Sequence, residues 1–427
     1  MQRPPLQQFW RHEAASLSLA ALKPSGSVLR DRSIEGGTRV AAGVDIYTTS
    51  AEIIVALLAG ALVVGTIATG LRVPYAVALL LASLPFHFSA AAAFAPSVLV
   101  ILLPALVFEA AWHLDLGYLR RFWLPVAFLA IPGVAITAFT IALGLWLAHL
   151  MPFLEALLIG AIVSATDPIA VIATFKELSA PRELATIVEG ESLCNDGIAA
   201  VLYGAIVAVI SGGNYHVASV TLHAVGGAVG GIVLGLAAAA VIALSMRWTK
   251  DVPLQIVATI VAAFSAYLIA NQFGASGIFA ALVVGVGLRA YHAFPTSQEA
   301  VDEIDRFWGV LAFIANSLVF ILLGLRIDLG RIFHEPLLVL LTIALVIGSR
   351  LLITYAGLPL LGIKRYGWKR IVMLAGMRGA LSLALALVLP ATIPFRPQII
   401  DAVFGVVAFT LVVQGLAIGP VLRRLNL

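Results

Sequence analysis

Residues 158–200 read LIGAIVSATDPIAVIATFKELSAPRELATIVEGESLCNDGIAA. Two apolar, membrane-length runs flank a short polar link, and each run carries carboxylates near its middle. The first holds Thr166, Asp167 and Pro168; the second holds Glu189, Glu191, Ser192, Asn195 and Asp196. An ionisable side chain at mid-bilayer costs about 2.5–3.5 kcal/mol or more, so it is rare unless it faces a partner or a wet cavity. Several within one stretch mark this as the functional centre of the chain.

Composition supports a membrane setting. Of 427 residues, 61% are hydrophobic and only 11% charged, where soluble domains run at roughly a quarter charged. The mean hydropathy is +1.05. The chain therefore reads as an all-α polytopic membrane protein. A formal charge of +4 gives no sign of a nucleic-acid partner, and the single cysteine, Cys194, excludes an intrachain disulfide framework and a multi-cysteine metal site. No P-loop, no dinucleotide-binding glycine fingerprint and no His/Cys metal spacing occur. The chain is not expected to be an enzyme or to use a cofactor beyond a transported ion.

Residues 1–50 are polar and mixed, and their only apolar run, AASLSLAAL, is short for a secretory signal and is preceded by Glu13. They are expected to form a disordered tail. From residue 51 the chain becomes a series of apolar segments at about 51–70, 73–88, 95–114, 122–149, 153–176, 185–211, 217–246, 252–271, 275–290, 304–325, 335–360, 368–389 and 399–422, about thirteen in all. The links after odd-numbered segments hold Arg72, Arg120, Arg121, Lys176, Arg182, Arg247, Lys250, Arg289, Arg306, Lys364, Arg365, Lys369 and Arg370, and Arg423 and Arg424 follow the last segment. The opposite links hold only Arg326, Arg331 and Arg396. This asymmetry predicts a cytoplasmic C-terminus and, with an odd count, an outside N-terminus. The six Lys/Arg residues of the tail run against it, but the loops agree along the whole chain.

Pro168 lies in mid-segment. Proline removes its own N–H and clashes with the carbonyl four residues back, here that of Ser164, so the helix should break near Thr166 and Asp167. Freed carbonyls at membrane depth are tolerated only where they line a cavity or are buried in protein, and interrupted helices meeting at the midplane are how many transporters build an ion site. On the following segment, Ser192 and Asp196 are four apart, and Asn195 is four from Glu191 and three from Ser192, so these groups share adjoining faces of one helix. Carboxylate, hydroxyl, amide and bare carbonyl oxygens suit a hard cation. A buried carboxylate with a like neighbour suits a proton. Asp167 and Asp196 meet both needs, and competition between cation and proton for that pair would produce exchange with no further coupling device.

Glu191 needs a cationic partner in this setting. Arg350, in LTIALVIGSRLLITYAG, and Arg378, in VMLAGMRGALSLALAL, both qualify. The glycines flanking Arg378, Gly376 and Gly379, suit a second locally unwound helix. Glu109, in SVLVILLPALVFEAAWHL, is a further membrane carboxylate that could face the same cavity. The run GGAVGGIVLG (226–235) is a small-residue surface for close helix packing, and Asn316 and Ser317 are expected to satisfy each other or a neighbouring helix.

The stretches SATDPIAV (164–171), EGESLCNDGIA (189–199), LLPALVFEA (102–110), GSRLL (348–352) and GMRGALSLAL (376–385) resemble the monovalent cation:proton antiporter-1 family, the NhaP-type sodium/proton antiporters and their eukaryotic exchanger relatives. The resemblance implies a transmembrane exchanger domain over 51–427 with an NhaA-like fold. That fold has about thirteen helices, inverted repeats and two crossed, locally unwound helices, here those carrying Asp167 and Arg378. It also implies a homodimer in which a mobile core of six helices moves against a dimerisation part, located in the inner cell membrane. Carried over residue by residue, Asp167 and Asp196 bind cation and proton in turn. Ser192, the Thr166 main chain and, through water, Glu109 complete the Na⁺ shell, and Asn195 holds the site together. Glu191 pairs with Arg350, and Arg378 supports the second unwound helix. One aspartate, after Asn195, implies electroneutral one-for-one exchange. No large domain is expected after Leu427, and regulation by a soluble domain is therefore not expected either.

The leading expectation is thus an antiporter exchanging Na⁺, or Li⁺ or K⁺, for H⁺. A sodium-coupled solute symporter on a similar inverted-repeat scaffold is the alternative, and a channel or receptor without coupling is the reading from another class.

Overall fold

Prolines, glycines and capping side chains cut the apolar chain into helices, in a computed structural model that describes residues 35–71, 73–86, 89–167, 171–172, 175, 180–212, 217–291, 297–326, 330 and 335–425. Pro168 and residues 1–34 lie outside the described residues. In chain order the helices are α1 (Glu35–Leu71), α2 (Tyr75–Ser83), α3 (Ser89–His113), α4 (Leu116–Leu147), α5 (Phe153–Ser164), α6 (Arg182–Gly212), α7 (Val217–Met246), α8 (Val252–Gln272), α9 (Gly277–Ala290) and α10 (Gln298–Arg326). They continue with α11 (Pro336–Leu360), α12 (Tyr366–Leu374), α13 (Ala380–Leu387) and α14 (Arg396–Leu425). Among the described residues there is no strand, and eight helices are long and apolar enough to cross a membrane.

Local chemistry explains the boundaries. Asp115 caps α4 by accepting from the amides of Gly117 (2.9 Å) and Tyr118 (3.2 Å), and Asp251 caps α8 by accepting from Leu254 at 3.0 Å. Ser276 does the same for α9 through Phe279, at 3.3 Å. Each supplies an acceptor for amides that the first helical turn leaves without one. Two helices carry a π turn, Ile353–Gly357 in α11 and Thr410–Gln414 in α14. Helix α1 begins sixteen residues before the expected boundary at 51. No proline occurs between Pro24 and Pro74, so nothing in residues 35–50 interrupts a helix that the apolar run continues.

The contacts sort the helices into two sets. Helices α4, α5, α6, α11, α12, α13 and α14 pack on one another, and α1, α2, α3, α7, α8, α9 and α10 form the second set. Helix α6 against α7 and α9, and α13 against α3 and α10, join the two. Within the second set, the small-residue surface of α7 is used as its composition predicts. A Cβ at Gly235 would lie 2.6 Å from the Ala280 carbonyl oxygen of α9, and Gly231 abuts the Ser276 carbonyl. Gly226, at the other end of the run, has open space beside it.

Gly235→Ala must therefore push α7 from α9, with an overpacking cost of about 1–3 kcal/mol, whereas Gly226→Ala meets nothing. Thermal denaturation of the purified protein should show a lowered Tm for the first variant and an unchanged or slightly raised Tm for the second.

Candidate ion-binding site at two broken helices

Helix α5 stops at Ser164, and Ala165 turns extended at φ −58°, ψ 132°. The backbone of Thr166 and Asp167 then runs without helical hydrogen bonding at the centre of the first helix set. A second break lies between α12 and α13, where Ala375–Gly379 leave the helix; Gly379 is extended at φ −147°, ψ −140°. The two breaks satisfy each other. The Asp167 amide donates to the Met377 carbonyl at 2.8 Å, and the Ala380 amide, the first of α13, donates to Asp167 Oδ2 at 3.4 Å. The carboxylate of Asp167 thus sits at the positive end of a helix dipole. Ser382 Oγ on α13 donates to the carbonyls of Ile162 (2.9 Å) and Ala165 (3.3 Å), capping the last turn of α5. A side chain at Gly379 would overlap the Asp167 carboxylate, so only glycine lets the crossing close.

Helix α6 lines this crossing. Ser192 Oγ donates to the Thr166 carbonyl, and Asn195 Nδ2 donates to the Ser164 carbonyl at 2.8 Å and to Thr166 Oγ1 at 3.3 Å. Asp167, Thr166, Ser192 and Asn195 are all buried. Asp196 lies within electrostatic reach of Asp167. Asp196 Oδ1 and Asn195 Oδ1 are buried and have no hydrogen-bond donor among the described residues. A polar oxygen buried without a partner costs about 1–3 kcal/mol. Two of them beside a second carboxylate form an oxygen-rich, donor-poor pocket, the chemistry a hard cation selects. The predicted residues Asp167, Thr166, Ser192, Asn195 and Asp196 are thus brought together.

Glu191, 1% exposed, faces elsewhere on α6. Its carboxylate forms a bidentate pair with Arg350 of α11: Nη1 meets Oε1, and Nη2 donates to Oε2 at 2.9 Å. Arg350 Nη2 also donates to the Val372 carbonyl of α12 at 2.8 Å. Gly376 leaves room for the guanidinium, since a Cβ there would lie 2.6 Å from Arg350 Nε. Arg378, also buried, does not take Glu191 as its partner. Its Nη1 donates to the Gly376 carbonyl at 2.7 Å, and its amide donates to Thr410 Oγ1 of α14 at 3.1 Å. It is held within the second break itself.

Glu109 is placed differently from the central group. Its carboxylate contacts His113 of the same helix, with Oε1 3.3 Å from Nδ1, and its side chain is 27% exposed. His113 Nε2 lies 3.9 Å from Asp305 Oδ1, which accepts from Trp112 Nε1 at 2.6 Å. The sequence reading passed over His113, Asp305, Ser382 and Thr410. The spacing of Glu109 and His113, four apart on one helix, was the one signal available for the first of these. Ser317 meets a neighbouring helix through Tyr75 at 2.8 Å, as expected, whereas Asn316 Oδ1 is buried with no partner among the described residues. Both residues lie on α10 one position apart, where side chains diverge by about 100° and do not face each other.

Similarities to known proteins fit this geometry. The chain is 37% identical over 347 residues to the low-affinity Na⁺/H⁺ antiporter NhaS1 of Synechocystis; the match takes in 77% of this chain and 65% of that protein, just under two thirds of its length. It is 35% identical over 347 residues to the Na⁺/H⁺ antiporter NhaP of Pseudomonas aeruginosa, covering 76% of this chain and 80% of the relative. The structure of the sodium proton antiporter MjNhaP1 from Methanocaldococcus jannaschii at pH 8 superposes with a TM-score of 0.76 at 22% identity, over 89% of this chain and 99% of that one. That likeness establishes the fold. The family described as the transmembrane sodium/hydrogen exchanger matches residues 53–424, and the chain belongs to it.

Proposed function

We propose that the chain is a secondary antiporter exchanging Na⁺, or a related monovalent cation, for H⁺ across the inner cell membrane. The observation that carries this reading is the pairing of Asp167 with Asp196 at two crossed helix breaks, beside buried oxygens that lack donors. The names of the relatives support it. With both carboxylates ionised, Na⁺ binds between them, aided by oxygens of Asn195, Ser192 and Thr166; Glu109 acts through water. A proton arriving at the pair weakens the cation's hold and releases it.

Coupling follows from electrostatics. A net negative site is costly to carry through a low-dielectric barrier, because an unneutralised charge at mid-membrane costs several kcal/mol. Either Na⁺ or H⁺ cuts the charge of the carboxylate pair from two negatives to one, so the loaded states cross far more readily than the empty one. Exchange is then obligatory and one for one. The set α4–α6 with α11–α14 is the moving core, and α1–α3 with α7–α10 is the scaffold through which two copies dimerise. In this reading the chain crosses the membrane about thirteen times, with α5 and its continuation as one broken span and α12 with α13 as another, the C-terminus in the cytoplasm and the N-terminus outside. No cofactor takes part.

Glu191 and Asp196 have opposite duties on one helix. The Glu191–Arg350 pair braces α6 against α11 and α12, and removing one member of a buried pair costs about 3–5 kcal/mol by leaving the other charge alone. Asp196 has no such partner among the described residues.

Two variants separate the roles. Glu191→Gln should lower the Tm of the purified protein markedly. Asp196→Asn should keep the wild-type Tm while abolishing Na⁺-dependent dequenching of a pH-sensitive dye in everted vesicles. Wild-type dequenching in Asp196→Asn would remove the basis of the proposed function. Proton flux in proteoliposomes challenged with Na⁺, Li⁺ and K⁺ in turn, with and without a clamped potential, is expected to be independent of potential; a potential-driven rate would overturn the electroneutral stoichiometry.

A further inference from the structure

Basic residues from three separate parts of the chain meet at one end of the first helix set. Arg120 and Arg121 stand in the first turns of α4. Lys364, Arg365, Lys369 and Arg370 flank the start of α12, and Arg423 and Arg424 close α14. The convergence is structural, because the rings of Phe122 and Trp368 meet tilted at 57° with centroids 6.2 Å apart, and both pack in one apolar cluster with Leu422 and Leu425. All of these cations are exposed except Lys369, which is half-buried. Among the described residues none of them forms an ion pair with a carboxylate. Four of the eight rest on aromatic rings instead: Arg121 over Phe122 at 5.6 Å, Arg365 over Trp368 at 5.3 Å, Lys369 over Tyr355 at 5.4 Å and Arg370 over Tyr366 at 4.9 Å. A cation–π contact orients a guanidinium without using its N–H donors, so the donors stay available to an anion.

Topology accounts for cations on this side of a membrane, and a helix C-terminus favours Arg423 and Arg424. Neither explains why three links converge on one aromatic floor with no carboxylate paired to these cations among the described residues. Apolar surface lies in the same place, with Leu360 85% exposed and Tyr366 57% exposed four residues from Arg370. The buried indole N–H of Trp368 also has no acceptor among the described residues. A partner that fits must carry an anionic, oxygen-rich group and an apolar body.

We propose that this rim binds an anionic phospholipid, with the phosphate on Arg365, Lys369 and Arg370 and the acyl chains against Leu360 and Tyr366. Planar guanidinium forks suit phosphate oxygens, and a polybasic patch at a membrane surface gains about 1 kcal/mol for each Lys or Arg near an anionic leaflet. The proposal needs only that this end of the helices lies at a membrane surface; it does not depend on the ion exchanged. The patch belongs to the helix set that carries Asp167 and Asp196, so a bound lipid rides with the ion site.

The test uses the purified full chain in neutral detergent, so failure of the lipid site leaves the transport reading untouched. Cardiolipin or phosphatidylglycerol should raise the Tm, and phosphatidylcholine or sodium phosphate at equal concentration should not. The variant Arg365→Gln/Lys369→Gln/Arg370→Gln should lose the shift. Arg306→Gln, whose arginine is already paired with Glu303 at 2.7 Å, should keep it. An equal shift in wild type and the triple variant, no shift in wild type, or a shift of the same size from phosphate alone would overturn the proposal. If the triple variant does not purify as a single species, native mass spectrometry of the single variants decides: anionic lipid retained as in wild type by all three would overturn it.

Discussion

The constraint on which the structure turns is the cost of bare backbone inside an apolar bundle. A helix broken at membrane depth leaves carbonyls and amides that no lipid can satisfy. Here two breaks are laid across each other so that each answers the other. The Asp167 amide reaches Met377, the Ala380 amide reaches Asp167, and Ser382 caps the carbonyls of Ile162 and Ala165. What α6 adds is selective. Ser192 and Asn195 take up the Thr166 and Ser164 carbonyls, yet the side-chain oxygen of Asn195 and one of Asp196 have no donor among the described residues. A polar network that is nearly but not fully satisfied is the arrangement a transported cation can complete and then leave.

The crossing also needs its surroundings held rigidly. Gly376 and Gly379 are small for different reasons: the first makes room for Arg350, the second for Asp167. Arg378 ties the second break to itself through Gly376 and to α14 through Thr410, which lies in a π turn. A π turn adds a residue to the helix and shifts side-chain direction, and in α14 it includes the hydroxyl that receives the Arg378 amide. The strong interactions thus lie around the ion pocket, and the weak, incomplete ones lie inside it.

Much of this was legible in the sequence, and the limits follow from the range of the signals. Apolar length marks helices, because the requirement is local to each segment. Asp167 beside Pro168, and Ser192, Asn195 and Asp196 at helical spacing, announced a polar site because their rarity in a membrane does not depend on context. The partner of Glu191 stayed open between Arg350 and Arg378 until the family resemblance was invoked, since Glu191 and Arg350 are 159 positions apart. Ser382 stands 220 positions from the carbonyl of Ile162, and a serine in an apolar segment looks the same whether it caps a distant strand of backbone or its own helix. Glycines 376 and 379 were visible as flexible positions; that they are close-packing positions is a property of what crosses them. The start of α1 at Glu35 was missed because composition separates polar from apolar residues, and a helix can continue through both.

Helix α6 brings the whole arrangement together. Glu191 and Asp196 are five residues apart, and at about 100° per residue they point some 140° from each other. One carboxylate therefore faces α11 and is neutralised permanently by Arg350, while the other faces the crossing, within electrostatic reach of Asp167. Placing both on one helix has a mechanical consequence. Any motion of the bundle that keeps the Glu191–Arg350 pair intact carries α6, α11 and the end of α12 together, because Arg350 also holds the Val372 carbonyl. Asp196 then keeps its position relative to Asp167 and Met377 while the bundle moves. The proposed ion pocket can then change its exposure without changing its shape, which is what the proposed competition between two ions for one set of ligands requires.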